Sequence, residues 1–218
     1  AYAINRTQLV EKVTKCGQIP AYSFTPPGSA GYQPDTEIKY DPLLAKQLLV
    51  EAGYSNPEDF PKLEILFNTN EDHRKIALAI QQMWQTTLGI EVELVNQDWK
   101  VYINREMIGD FQVSRAGWIG DYEDPNTFLD TLRPNRGNNK TGWENKKYDD
   151  LLELANSTND TEKRYNLLMQ AERILIDEMP IVPLYTYVRS YQLSEDVKGY
   201  FPNYLDHHHP KYIYLERD

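Results

Sequence analysis

Apolar residues recur at helical spacing from the start of the chain. Ile4, Leu9, Val10 and Val13 share a face, and Asn5 or Thr7 stands where a capping residue belongs. Residues 17–40 break this pattern with Pro20, Pro26, Pro27, Pro34, Gly28 and Gly31, and predict an extended loop. Asp41-Pro42 places a cap residue before a first-turn proline, predicting a helix through Leu43, Leu44, Leu48 and Leu49 that ends at Gly53. Leu63, Ile65 and Phe67 alternate with Glu64 and Leu66 and read as a strand. Residues 71–88 form an amphipathic helix with Ile76, Ile80, Met83, Trp84 and Leu88 on one face, closed by Gly89. The run 90–95 reads as a second alternating strand. A short helix over 98–108, a strand from Phe111 to about Trp118 and a capped helix from Asp124-Pro125 to Leu132 follow. After a polar loop over 133–143 come two helices, 145–156 and 160–178, the second opened by Asn159 or Asp160. Residues 181–193 read as one or two strands, and Tyr212 to Leu215 closes the chain. Strands and helices alternate without an internal repeat, so the class is α/β.

Composition narrows the function. The 218 residues suffice for one large domain or two small ones, and 40 % hydrophobic content with 12 % aromatics excludes a disordered chain. No apolar run reaches the roughly 18 residues of a membrane-spanning helix. With 23 Lys+Arg against 33 Asp+Glu the net charge is −10, which offers little to nucleic-acid phosphates. Sixteen Tyr and four Trp stand out, because such rings suit a binding surface, although burial habits make the core the expected place for most tyrosines. Cys16 is the single cysteine, so it forms no internal disulfide and no Cys-based zinc site, and it reads as a small residue at a helix end. The chain opens with Ala1-Tyr2-Ala3-Ile4, already inside a helical pattern, as expected of a fragment.

The densest polar cluster runs from Arg115 to Pro125. Asp121, Glu123 and Asp124 raise the possibility of a glycosidase-type carboxylate pair, but adjacent carboxylates in a turn are more simply explained, with Asp124 as a helix cap. The stretch Trp118-Ile119-Gly120-Asp121 reads better as a binding turn: an aromatic wall, a glycine permitting close approach, and a carboxylate for a cation. Arg115 brings a cation nearby, provided the strand bends, and a surface charge is its plain alternative. His73 sits at a strand-to-helix junction suited to anions, where an exposed first-turn histidine is the bland reading. At most two of His207, His208 and His209 share a face in extended chain, so no metal site is assigned. No phosphate loop, GxSxG elbow or HExxH pair is present.

Several segments together resemble the oligopeptide-binding proteins of peptide ABC transporters, within the peptide and nickel solute-binding family (family 5). They are Pro20 to Pro27, Glu51-Ala52-Gly53-Tyr54, Leu66 to His73, Val95 to Lys100, Val113 to Tyr122 and Ile181 to Val188. They lie in family order along nearly the whole chain. The run Arg115-Ala116-Gly117-Trp118 followed by Asp121-Tyr122, with Asp98-Trp99-Lys100 upstream, points to the oligopeptide branch rather than the dipeptide or nickel branches.

The resemblance implies the C-terminal lobe of a two-lobed periplasmic-binding-protein-like (type II) fold, a mixed sheet with packed helices. Residues 1–16 would belong to the N-terminal lobe, 17–190 would form the C-terminal lobe, and 191–218 would return to the N-terminal lobe. Asp121 would meet a peptide's α-ammonium, and Arg115 and His73 its C-terminal carboxylate. Trp99 and Trp118 would line side-chain pockets, while Tyr187, Tyr185 and Gly117 complete the peptide-binding set. Some relatives carry a cysteine where Ile119 stands, so a disulfide pairing there is absent. The implied partners are short peptides, membrane-embedded ABC permease subunits and the N-terminal lobe, with no cofactor and no nucleic acid. The implied location is the periplasm, or the cell surface as a lipoprotein in a Gram-positive bacterium. No enzyme activity is expected. Two alternatives stay open: a hydrolase using Asp121, Glu123 and Asp124, or the same scaffold taking murein peptide, a nickel chelate or haem.

Overall fold

A computed structural model describes residues 1–134 and 137–216. Residues 135 and 136 of the polar loop, and 217–218 at the end of the return segment, lie outside the described residues. The chain opens on a short helix α1 (Arg6–Gln8), capped by Asn5, whose side chain accepts from the Gln8 amide. It widens into a π-helical turn over Leu9–Thr14, stopped by Lys15 in the left-handed region at φ 58°. Cys16 follows and is exposed.

A three-stranded parallel sheet organises what comes next. β2 (Leu63–Asn68) lies between β3 (Val92–Gln97) and β4 (Val113–Ser114), all running the same way. Parallel neighbours require crossovers, and the helices α3 (Glu71–Leu88) and α4 (Trp99–Ile108) supply them. Both are capped as their sequences direct, α3 by Asn70 and Gly89, α4 by Asp98 and Gly109. The alternation read in β2 is only half of its burial pattern. Ile65 and Phe67 pack under α3 with Ile76, Ala77, Ile80 and Trp84, but Leu66, of opposite parity, is fully buried as well. A central parallel strand is covered on both faces, and α4 is the other helix that touches it.

Parallel and antiparallel pairings occupy separate ladders. β1 (Ile19–Pro20) pairs antiparallel with β5 (Tyr185–Thr186), and β6 (Val197–Lys198) with β7 (Tyr214–Leu215). Two predicted strands are much shorter than expected. The one over 111–118 keeps only Val113–Ser114 and the Arg115 amide, which donates to the Leu66 carbonyl at 2.8 Å, before the chain turns off the sheet. The 181–193 run keeps only Tyr185–Thr186, since Pro183 has no amide to give a ladder and its carbonyl is taken by Arg6.

A second core lies among helices. α2 (Pro42–Glu51), capped by Asp41, packs Ala45 and Leu49 on the sheet cluster. α5 (Asn126–Leu129), with its 3₁₀ continuation through Leu132, meets the pair α6 (Lys146–Asn156) and α7 (Thr161–Glu178) around Leu129, Leu152, Leu168 and Leu175. The loop 17–40 is tied down rather than loose. Glu172 of α7, with no exposed surface, accepts from the Phe24 amide at 2.9 Å, the Thr25 amide at 2.7 Å and the Tyr32 hydroxyl at 2.8 Å. Burial raises its pKa above the usual carboxylate range, and those three donors pull it back.

Two expectations are corrected by this packing. Residues 1–16 do not stand apart from the lobe that follows, because Ala3, Ile4 and Leu9 are buried in the same cluster as β2 and α3. Arg6, 1 % exposed, sends Nε to the Pro183 carbonyl at 2.7 Å, and burial lowers its pKa to about 10. The tyrosines are not mostly core either. Only Tyr32, Tyr102 and Tyr148 are buried among the described residues, while Tyr122, Tyr187, Tyr191, Tyr204 and Tyr212 are exposed.

Glu172→Ala strands three donors in a buried place, so it should cost about 3 kcal/mol of stability, measured by urea unfolding midpoints. Glu172→Gln keeps an oxygen for the two amides and should cost less than half as much.

Candidate functional site

Because β2, β3 and β4 are parallel, their carboxyl ends share one edge, where the chain leaves the sheet three times. The exit from β2 carries Asn68 and His73, that from β3 carries Trp99, and that from β4 carries Arg115 to Asp121. Every residue singled out in the sequence, apart from the two β5-region tyrosines, belongs to one of these exits.

His73 lies in the first turn of α3 and is half-buried, with Nδ1 2.8 Å from Asn68 Oδ1. The Asn70 side chain already accepts from the amides of Asp72 and His73, so part of the helix N-terminus is occupied. Burial lowers the His73 pKa, and the nearby Arg115 charge lowers it further. His73 is therefore a neutral ring at pH 7.

Arg115 is held from two sides. Its backbone carbonyl accepts from the buried Tyr102 hydroxyl at 2.5 Å, and its guanidinium donates to the Tyr187 hydroxyl. Tyr185 stands edge-on to Tyr187 with ring centroids 5.5 Å apart. Burial raises the Tyr185 pKa, with the Tyr187 hydroxyl adding to that and Arg115 opposing it. Gly117 lies directly under Tyr187: a Cβ there would stand 2.6 Å from the phenol oxygen. The arginine thus has neutral partners, and among the described residues no carboxylate pairs with it.

The following turn rests on α5. Trp118 Nε1 donates to the Thr127 carbonyl at 2.8 Å, and the Asp121 amide donates to Thr127 Oγ1 at 2.9 Å. The Asp121 side chain is exposed, with no hydrogen-bond or ion-pair partner among the described residues. Asp124 differs: Arg164 of α7 holds both of its oxygens, each at 2.8 Å, and its Oδ1 also accepts from the Asn126 amide. Those bonds raise the Arg164 pKa. Asp124 is a cap and a structural ion pair, while Glu123 is exposed.

Trp99, 61 % exposed, stacks on Tyr102 with centroids 5.7 Å apart. Arg115, Tyr187, Tyr185, Gly117 and His73 therefore form one group, Trp118 and Asp121 a second joined through Thr127, and Trp99 is linked to the first through Tyr102. No hydrogen bond or ion pair joins Arg115 to Asp121 among the described residues. A separate cavity of about 340 Å³ lies on the β3 side of the same edge, bordered by Thr69, Arg74, Leu94 and Asn96. Sequence reasoning missed Asn68, Tyr102 and Thr127. Tyr102 was accessible, being one helical turn from Trp99, but nothing local marks Thr127 as the partner of a residue six positions away.

The histidine triplet does not converge. His208 stacks on Tyr200 and bonds Asp206 at 2.9 Å, Asp206 also pairs with Arg189, and His209 turns its edge to Tyr212. Among the described residues no three His, Cys, Asp or Glu side chains are grouped to hold a metal. No described helix is long and apolar enough to cross a membrane.

Comparison with known proteins supplies a context. The family model described as bacterial extracellular solute-binding proteins, family 5 middle, matches residues 1–140. The oligopeptide-binding protein OppA of Bacillus subtilis is 40 % identical over 206 residues, which are 91 % of this chain and 38 % of that protein. The structure of the Escherichia coli murein tripeptide binding protein MppA superposes with a TM-score of 0.89 at 37 % identity, covering all of this chain and 44 % of that one. Haemophilus influenzae OppA in complex with the peptide RPPGFSPFR gives a TM-score of 0.82 at 34 % identity, over 98 % of this chain and 44 % of that one. The chain thus spans about two fifths of the length of the relatives it matches.

The electrostatics of the edge can be read directly. In an NMR titration of the histidine rings, His73 should titrate below 6.5, and Arg115→Gln should move it upward by removing a repelling charge.

Proposed function

The chain belongs to family 5 of the bacterial extracellular solute-binding proteins, and from that membership we propose that it is the C-terminal lobe of a protein that captures short oligopeptides. The observation that carries this reading is a pair of unmatched charges at one sheet edge. Asp121 is a carboxylate without a cation, and Arg115 a cation whose side-chain partner is a neutral phenol. A peptide in water brings the complementary pair, an α-ammonium and an α-carboxylate, whatever its side chains. Charge-assisted bonds to those ends anchor it without reading sequence. Exposed Trp99 and half-buried Trp118 offer walls for side chains, and Tyr187 and Tyr185 flank the path.

The lobe on this reading comprises 17–190 together with 1–16, whose packing places them here, while 191–218 returns to the other lobe. That other lobe closes the site, and membrane-embedded ABC permease subunits receive the peptide. The protein works outside the cytoplasm, in the periplasm or as a surface lipoprotein. No reaction is assigned: the Arg164 pair removes Asp124 from any carboxylate couple. Murein peptide is the second reading, favoured by the 39 % identity to the periplasmic murein peptide-binding protein MppA of Escherichia coli.

Calorimetry on the protein carrying both lobes, with tri- to pentapeptides, tests the proposal. Asp121→Ala should weaken binding by about 2 kcal/mol, roughly 30-fold. No heat with any peptide mixture, or an unchanged affinity in the variant, refutes it. The 218 residues alone should bind the same peptides much more weakly, since half of the enclosing contacts are missing.

A further inference from the structure

We propose that Thr127 is the positioning residue of the ammonium site, setting the direction of the Asp121 carboxylate through its hydroxyl. This rests on the reading of Asp121 given above. Thr127 stands in the first turn of α5 and is only 4 % exposed. It meets the turn before it in three ways. Its Oγ1 accepts the Asp121 amide at 2.9 Å, and its carbonyl accepts the Trp118 indole at 2.8 Å. Its methyl lies under Gly120, where a Cβ would stand 2.9 Å from Cγ2. One buried residue therefore touches the aromatic wall, the glycine and the carboxylate-bearing residue of a single turn.

The Asp121 side chain has no partner to fix it among the described residues, so the orientation of its carboxylate depends on the backbone it projects from. That backbone is held at its amide by the threonine hydroxyl. The far end of the turn is held independently, by Asp124 bonded through both oxygens to Arg164. Loss of the Thr127 hydroxyl should accordingly reorient Asp121 without releasing the turn. The chemistry also separates the three contacts. Thr127→Val keeps the methyl and removes the acceptor, and Thr127→Ser does the reverse. The Trp118 bond goes to a main-chain carbonyl, so both variants retain it.

The experiment measures dissociation constants of a tripeptide and of its N-acetylated form against the two-lobed protein and its variants, with melting temperatures alongside. Wild type should prefer the free amine. Thr127→Val should weaken the free peptide about tenfold while changing the acetylated one less than twofold, because only the ammonium contact is displaced. Thr127→Ser should restore the preference, which a purely packing role would not allow. Thr127→Ala reads in the same direction as valine if the valine variant does not fold. A valine variant with the wild-type preference overturns the proposal, as does a serine variant that loses the preference equally. A wild-type protein that binds peptide without favouring the free amine overturns the assignment of Asp121 itself, and Thr127's role with it. That result is distinct from both variant outcomes.

Discussion

Parallel pairing on both sides of β2 is the constraint from which the rest follows. A strand between two parallel neighbours needs a helix over each crossover, so its residues are buried on both faces, as Ile65, Leu66 and Phe67 are. Their carboxyl ends then lie along one edge, and three chain exits gather Asn68, His73, Trp99 and Arg115 without long-range design. The same backbone that makes the core makes the site.

Charge at that edge is arranged by exclusion. Arg164, Arg105, Arg173 and Arg133 are each matched with carboxylates on the body of the lobe. Arg115 and Asp121 are not, and both lie just beyond β4. Leaving charges unmatched costs little while water reaches them and makes them available to a zwitterion. Neutral groups do the holding: phenols at Arg115, an asparagine at His73 and a hydroxyl at the Asp121 amide. Because they carry no opposing charge, they orient the site without quenching it.

The sequence showed the local features plainly. Asp41, Asn70, Asp98 and Asp160 cap the helices they precede, and Gly89 ends α3, because capping depends on neighbours within four residues. The residues carried over by resemblance fell on one edge for the same reason that the strands are parallel. What could not be read was non-local. Nothing near Glu172 announces that a carboxylate in a helix will serve two amides and a phenol about 140 positions earlier. The strand expected to reach Trp118 stops at Ser114 because an indole bond to Thr127 draws the chain away. Residues 1–16 pack on the lobe because Leu9 and Ile4 find β2 and α3, a partnership invisible in their own spacing.

The phenol at Arg115 has a bearing on departure as well as on capture. A guanidinium with a standing hydrogen-bond partner is never bare, so the moment a carboxylate leaves, the hydroxyl of Tyr187 is there to take its place. A carrier must surrender its cargo, and a cation with nothing to return to would hold on too long. Gly117, by leaving room for that ring, keeps the exchange reversible.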